Sequence, residues 1–171
     1  MMKRLLFLTG WLICLGLLTT GCETREIGEP EKSTAKQGAS PEVVFEESFN
    51  RKSLGEHWRR GEGGGGAGEW QIKDGWLYAK NIRNDPLWFQ QRLPRDVRIE
   101  FKAKAKSSEG DIKVEVFGDG QKHESGYILI FGGWNNRLDV IARLDEHGKD
   151  RKEQRSRGVE AGKVYEMAVE R

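Results

Sequence analysis

The sequence predicts an all-β domain, an antiparallel β-sandwich, behind an N-terminal leader. Three observations carry that expectation. Val97 to Lys106 alternates: Val97, Ile99, Phe101, Ala103 and Ala105 share one face, and Arg98, Glu100, Lys102, Lys104 and Lys106 share the other. A period of two means one face on a core and one in water. From Val43 onward, short apolar runs recur between turn residues at spacings of roughly ten, as in a sandwich. No long amphipathic helical repeat is present; only Ser53–Arg60 reads as a helical turn.

The expected strands follow in order. Val43–Phe49, Glu69–Ile72, Trp76–Lys80 and Leu87–Arg92 come before the alternating segment. After it, Ile112, Val114 and Val116 alternate with Asp111, Lys113 and Glu115. Tyr127–Phe131 is apolar throughout, which suits a central strand covered on both faces. Arg137–Leu144 and Val164–Glu170 complete the set. Turns are expected at Lys73-Asp74-Gly75, Gly118-Asp119-Gly120 and Gly132-Gly133. Arg143 to Arg157 is dense in charges of both signs and reads as a solvated hairpin and loop. Gly61 to Gly68 holds six glycines and reads as a flexible loop. No Gly-Lys-Ser/Thr follows it, so it is no phosphate loop.

The first 21 residues read as a secretory leader. Lys3 and Arg4 make a basic start, Leu5 to Leu18 is an apolar run, and Thr19-Thr20-Gly21 puts small residues before Cys22. A spanning helix needs about 20 apolar residues, and this run is shorter. The cysteine after Gly21 makes the segment resemble a bacterial lipoprotein signal, although Thr19 stands where that family usually has Leu. The resemblance implies cleavage before Cys22 and acylation, including palmitate, at that residue. It also implies anchoring in the bacterial cell envelope, on the outer membrane or facing the periplasm, with Glu23 permitting export from the inner membrane. Two or more acyl chains make such an anchor durable.

Residues 22–42 then read as the lipidated cysteine and a disordered tether, with Pro30, Pro41, many charges and one large aliphatic, Ile27. The domain is expected over 43–171. The mature chain has 150 residues, one domain's worth. Its charge balances: of 29 Lys and Arg, Lys3 and Arg4 leave with the leader, giving 27 against 27 Asp and Glu. That is no nucleic-acid footprint. With Cys14 in the leader and Cys22 lipidated, neither a disulfide nor a Cys-based metal site remains.

Phe45-Glu46-Glu47-Ser48-Phe49-Asn50, running through Leu54 to Trp58, is followed by Gly68-Glu69-Trp70-Gln71-Ile72 and Asp74-Gly75-Trp76-Leu77. Together these resemble the opening hairpins of concanavalin A-like lectin/glucanase jelly rolls. The later Leu87-Trp88-Phe89, Tyr127–Phe131 and Gly133-Trp134-Asn135-Asn136-Arg137 are similar to bacterial lipoproteins carrying that domain. The resemblance covers Val43 to Arg171 and implies an antiparallel jelly roll. In that family more core strands follow the position of Val164–Glu170, so the domain is expected to be incomplete. Calcium held through backbone carbonyls is common in the fold and leaves no signature here; no other cofactor is expected.

The architecture hosts sugar binders, glycosidases and adhesion modules, so function rests on particular residues. The candidate ligand-binding set is Trp134, Asn135, Asn136 and Arg137 in one loop, with Trp88 and His123 able to share their face. An aromatic ring beside amide and guanidinium donors suits a sugar; the plain alternative is a turn with a packing Trp and Asn at positive φ. Trp58, Trp70 and Trp76 are expected in the core. A retaining glycosidase needs two carboxylates about 5.5 Å apart. Glu109, Asp111 and Glu115 fall on one strand face, but Lys113 interrupts them, and no catalytic residue is assigned. His57, His123 and His147 are too scattered in sequence to read as a metal site. The expected function is a membrane-anchored, non-catalytic, carbohydrate-binding module. The alternatives are a glycoside hydrolase of the same fold, related to glucanases or 3-keto-glycoside hydrolases, and a structural envelope lipoprotein.

Overall fold

The computed structural model describes residues 2–9, 42–62 and 68–171. Its strands are β1 Met2–Thr9, β2 Glu42–Glu47, β3 Trp58–Arg60, β4 Glu69–Lys73, β5 Trp76–Lys80 and β6 Leu87–Phe89. They continue as β7 Arg98–Ala103, β8 Ile112–Val116, β9 Tyr127–Gly132, β10 Leu138–Arg143, β11 Lys152–Arg155 and β12 Tyr165–Glu170. The all-β expectation holds. Cys22 and the tether up to Pro41 lie outside the described residues. Among the described residues, no helix is long and apolar enough to cross a membrane.

The strands form three separate sheets. One runs β12-β7-β1-β5-β4 with β2 also on β1, a second runs β11-β10-β9-β8, and β3 pairs with β6. The best-patterned segment became β7: Ile99, Phe101 and Ala103 are each 4 % exposed. The outward Arg98 reaches Glu100 at 2.6 Å, and Lys102 reaches Glu166 on β12 at 2.6 Å. β4 and β5 form a two-residue hairpin with Lys73 opposite Trp76. Asp74 (φ 53°) and Gly75 (φ 70°) both take positive φ there, the backbone that matches strand twist.

One core draws on all three sheets: Leu77, Ile99 and Phe101 from the first, Ile112 and Val116 from the second, Trp58 from the third. Each such side chain contributes about 1.5–3 kcal/mol by leaving water. β9 is covered on both faces, as its unbroken apolar run predicts. Leu129 and Phe131 pack on that core, while Ile128 and Ile130 join Val140 and Ala142 in a second cluster. Trp58 is buried. Trp70 is half-buried against the core, and its indole donates to the Asp85 carbonyl at 3.1 Å. Trp76 is half-buried under the Lys104 ammonium, 4.3 Å from the ring centre.

A buried carboxylate ties β2 to the segment after it. Glu47, 4 % exposed, accepts from the Phe49 amide at 2.7 Å, Arg51 at 2.8 Å and the Trp58 indole at 3.2 Å. Burial pushes its carboxyl up, but Arg51, the Phe49 N–H and Trp58 together outweigh burial and hold it below the ordinary value.

One expectation is corrected. The helical turn at Ser53–Arg60 is absent: Trp58–Arg60 is strand β3, with Trp58, Arg59 and Arg60 opposite Phe89, Trp88 and Leu87. Burial of Trp58 in the core overrides a local helical preference. Met2–Thr9 is strand β1, antiparallel to β7 on one side and to β2 on the other, with one further pairing of Met2 to Leu77 on β5. The charged stretch after Arg143 does form a hairpin, with exposed β11 along β10.

Candidate functional site

The loop from Gly132 to Arg137 is a left-handed turn. Gly132 (φ 72°), Trp134 (φ 51°), Asn135 (φ 55°) and Asn136 (φ 63°) all lie in the left-handed region. Asn tolerates that conformation and Trp rarely adopts it. What holds the turn is Asn136. Its Oδ1 accepts from the Val159 amide at 2.6 Å, and its Nδ2 donates to the Ser108 and Val159 carbonyls at 2.9 and 2.8 Å. Arg137 donates to the Trp134 carbonyl at 2.9 Å.

Trp134 is half-buried on the Ile128–Val140 cluster. The Arg151 guanidinium lies 4.9 Å from its ring centre, and His147 meets it edge-on at 5.6 Å. Cation–π contact of this kind occupies the ring surface a sugar would use. Asn136 and Arg137 are likewise engaged in building the turn. Trp88 is 7 % exposed in β6, and a Cβ on Gly118 would stand 2.5 Å from its ring. The structure thus gives Trp88 and Trp134 different neighbours: the first packs beneath the β8–β9 loop, the second on the outer face of β9.

The loop joining β8 to β9 builds a second constellation. Glu115 points away from the core side chains Ile112 and Val116. Its carboxylate accepts from three backbone amides, Glu124 at 3.2 Å, Ser125 at 2.8 Å and Gly126 at 2.9 Å. It also meets His123 Nδ1 at 3.1 Å. The two side chains are 6 % and 12 % exposed. Asp119 closes the loop's first turn by accepting from the Gln121 and Lys122 amides at 2.7 and 2.8 Å; those bonds hold its carboxyl below the ordinary value. The Glu62 amide donates to the Gln121 carbonyl at 2.8 Å, which fixes the loop against the segment after β3.

Where these segments meet lies an open surface cleft of about 470 Å³ lined by Glu62, Asn84, Lys122, His123 and Glu124. Small-ligand sites run from about 300 to 1,000 Å³. The lining is two carboxylates, an amide, an ammonium and an imidazole. A carboxylate can only accept, so the His123 proton in the bond to Glu115 sits on Nδ1; a neutral ring then offers Nε2 as an acceptor. That nitrogen is buried and meets no hydrogen-bond partner among the described residues. A buried polar atom left unpaired costs about 1–3 kcal/mol.

The structure therefore brings together Glu115, named among the acidic strand residues, and His123, named beside the Trp134 loop. Glu115 is committed to its own loop, and Lys113 pairs with Glu146 at 2.5 Å. Among the described residues, no three His, Cys, Asp or Glu side chains gather as a metal site. Sequence reasoning missed Glu62, Asn84, Lys122 and Glu124. One signal was present: Gly118-Asp119-Gly120 between Glu115 and His123 marks a reversal that returns the histidine to the strand carrying the glutamate.

Comparison of the chain with protein-family profiles, with characterised proteins and with solved structures finds no match in any of the three.

Proposed function

We propose that this chain is a membrane-anchored extracytoplasmic lipoprotein whose domain, a β-sandwich of the jelly-roll kind, binds carbohydrate without turning it over. The observation that carries the reading is the open polar cleft beside the β8–β9 loop, lined by Glu62, Asn84, Lys122, His123 and Glu124. A sugar presents several hydroxyls, each both donor and acceptor. Glu62, Glu124 and the Asn84 carbonyl offer acceptors; Lys122 and the Asn84 amide offer donors. This cleft is a second candidate beside the Trp134 loop, where the Asn136 and Arg137 side chains are engaged in the turn. The leader-like residues 1–21 ahead of Cys22 support the anchor.

The test is a glycan-array screen of the detergent-solubilised chain, repeated with Lys122→Ala and Asn84→Ala. Saturable binding weakened about tenfold by either change, from the loss of about 1.4 kcal/mol of hydrogen bonding, supports the reading. Absence of saturable binding from folded protein refutes it. Product analysis of the bound glycans separates binding from hydrolysis: a cleaved product would favour the glycoside-hydrolase alternative. The anchor has its own test, since Cys22→Ser should abolish acyl labelling and membrane recovery.

A further inference from the structure

We propose that the sheet position filled by Met2–Thr9 is a strand-acceptor groove, which in the chain cut before Cys22 takes an extended amphipathic segment of another protein. The inference rests on the leader reading for the cut, and on the sheet for the groove.

β1 is antiparallel to both β2 and β7, so β2 and β7 run parallel to one another with a strand between them. Two strand spacings put them about 9–10 Å apart when that strand leaves. Direct pairing of β2 with β7 would need the sheet to close by a whole strand width and to adopt a parallel ladder. Both walls are held without β1. β7 keeps β12 along its other edge. β2 has no other strand partner among the described residues, but its side chains fasten it: Phe45 lies 4.3 Å from Phe89 and 5.5 Å from His57, ring centre to ring centre, and Glu47 is bonded to Arg51 and Trp58. Removing the leader strand thus leaves two facing rows of unpaired backbone N–H and C=O groups, the template that strand addition uses.

The register states what fits. Leu5 and Phe7 stand opposite Phe101 and Ile99, so alternate positions of the incoming strand share the face of two core residues. Leu6 and Leu8 stand opposite Glu100 and Arg98 on β7; on β2, Leu5, Leu6 and Phe7 stand opposite Glu47, Glu46 and Phe45, and past a bulge Leu8 stands opposite Val43. The matching occupant is apolar at the first kind of position and polar at the second, because cross-strand pairs share an environment. The leader itself is apolar at both, which suits a strand that later departs.

The experiment compares the uncut chain with one cut at a protease site engineered before Cys22, so the groove is tested whatever the cell does to the leader. N-terminal mass spectrometry of the chain recovered from membranes tests the leader separately. Hydrogen exchange over residues 42–47 and 98–103 should be at least tenfold faster in the cut chain. A synthetic peptide of residues 2–9 with Leu6 and Leu8 changed to Thr should restore protection saturably, and one with Leu5 and Phe7 changed to Asp should not. If the cut chain unfolds, rescue by the first peptide alone supports the groove, and absence of rescue overturns it. Unchanged protection in the cut monomer, self-association that restores it, or equal binding of both peptides also overturns the proposal.

Discussion

Replacing Glu47 with Ala isolates the contribution of a single buried carboxylate. The change removes the acceptor for the Phe49 amide and the Trp58 indole, both in buried surroundings. It also releases Arg51, whose side chain is 35 % exposed and can turn to water. Two orphaned buried donors cost about 1–3 kcal/mol each, and the arginine adds little because solvent replaces its partner. The total is about 4 kcal/mol. At about 2–4 °C per kcal/mol for a domain of this size, the melting temperature should fall by about 12 °C. Urea unfolding followed by tryptophan fluorescence measures the loss, with an unchanged m-value as the check that the denatured state is the same. A loss under 1 kcal/mol would refute the reasoning, since it would mean water or another group satisfies both donors. The pH dependence has a definite sign. The Glu47 carboxyl is held below its ordinary value of 4.5 in the folded state. Its contribution is therefore complete above that value and is lost as pH falls through the lower folded value. Glu47→Gln should flatten the acid limb of the stability curve, in part only, because Asp119 and Glu166 are lowered in the same direction.

Other perturbations have equally definite outcomes. Asn136→Ala removes three hydrogen bonds that join the left-handed turn to Ser108 and Val159; it should cost about 2–3 kcal/mol in urea unfolding and speed exchange of the Val159 amide. Gly118→Ala puts a Cβ 2.5 Å from the Trp88 ring and into contact with Ser125 Oγ; it should destabilise by about 1–3 kcal/mol and shift the tryptophan emission. Phe101→Ala, in the middle of β7, should cost about 3–5 kcal/mol by chemical denaturation, as the core loses a ring that no neighbour replaces.

The parts of the fold legible in the sequence are those whose pattern is local. β7 and the β4–β5 hairpin declare themselves through alternation and an Asp-Gly turn, and β9 through an unbroken apolar run. β3 escapes because three residues of Trp-Arg-Arg hold no period, and only pairing with β6 makes them a strand. β1 escapes because a basic start followed by leucines is leader composition; no local pattern says that Ile99 and Phe101 stand opposite it. The site divides the same way. Glu115 and His123 are each visible, but their contact depends on how the intervening loop folds back. Asn84 and Glu62 reach the cleft from elements distant in sequence. Trp88 reads equally as surface or core within Leu87-Trp88-Phe89, and pairing of β6 with β3 decides for the core.

Chemical-shift mapping (¹H–¹⁵N) during titration with the best glycan from the array tests directly whether the cleft beside the β8–β9 loop holds the proposed hydroxyl-rich ligand. Saturable shifts should centre on Glu62, Asn84, Lys122, His123 and Glu124. Shifts centred instead on Trp134 to Arg137, with the cleft residues unmoved, would contradict that placement.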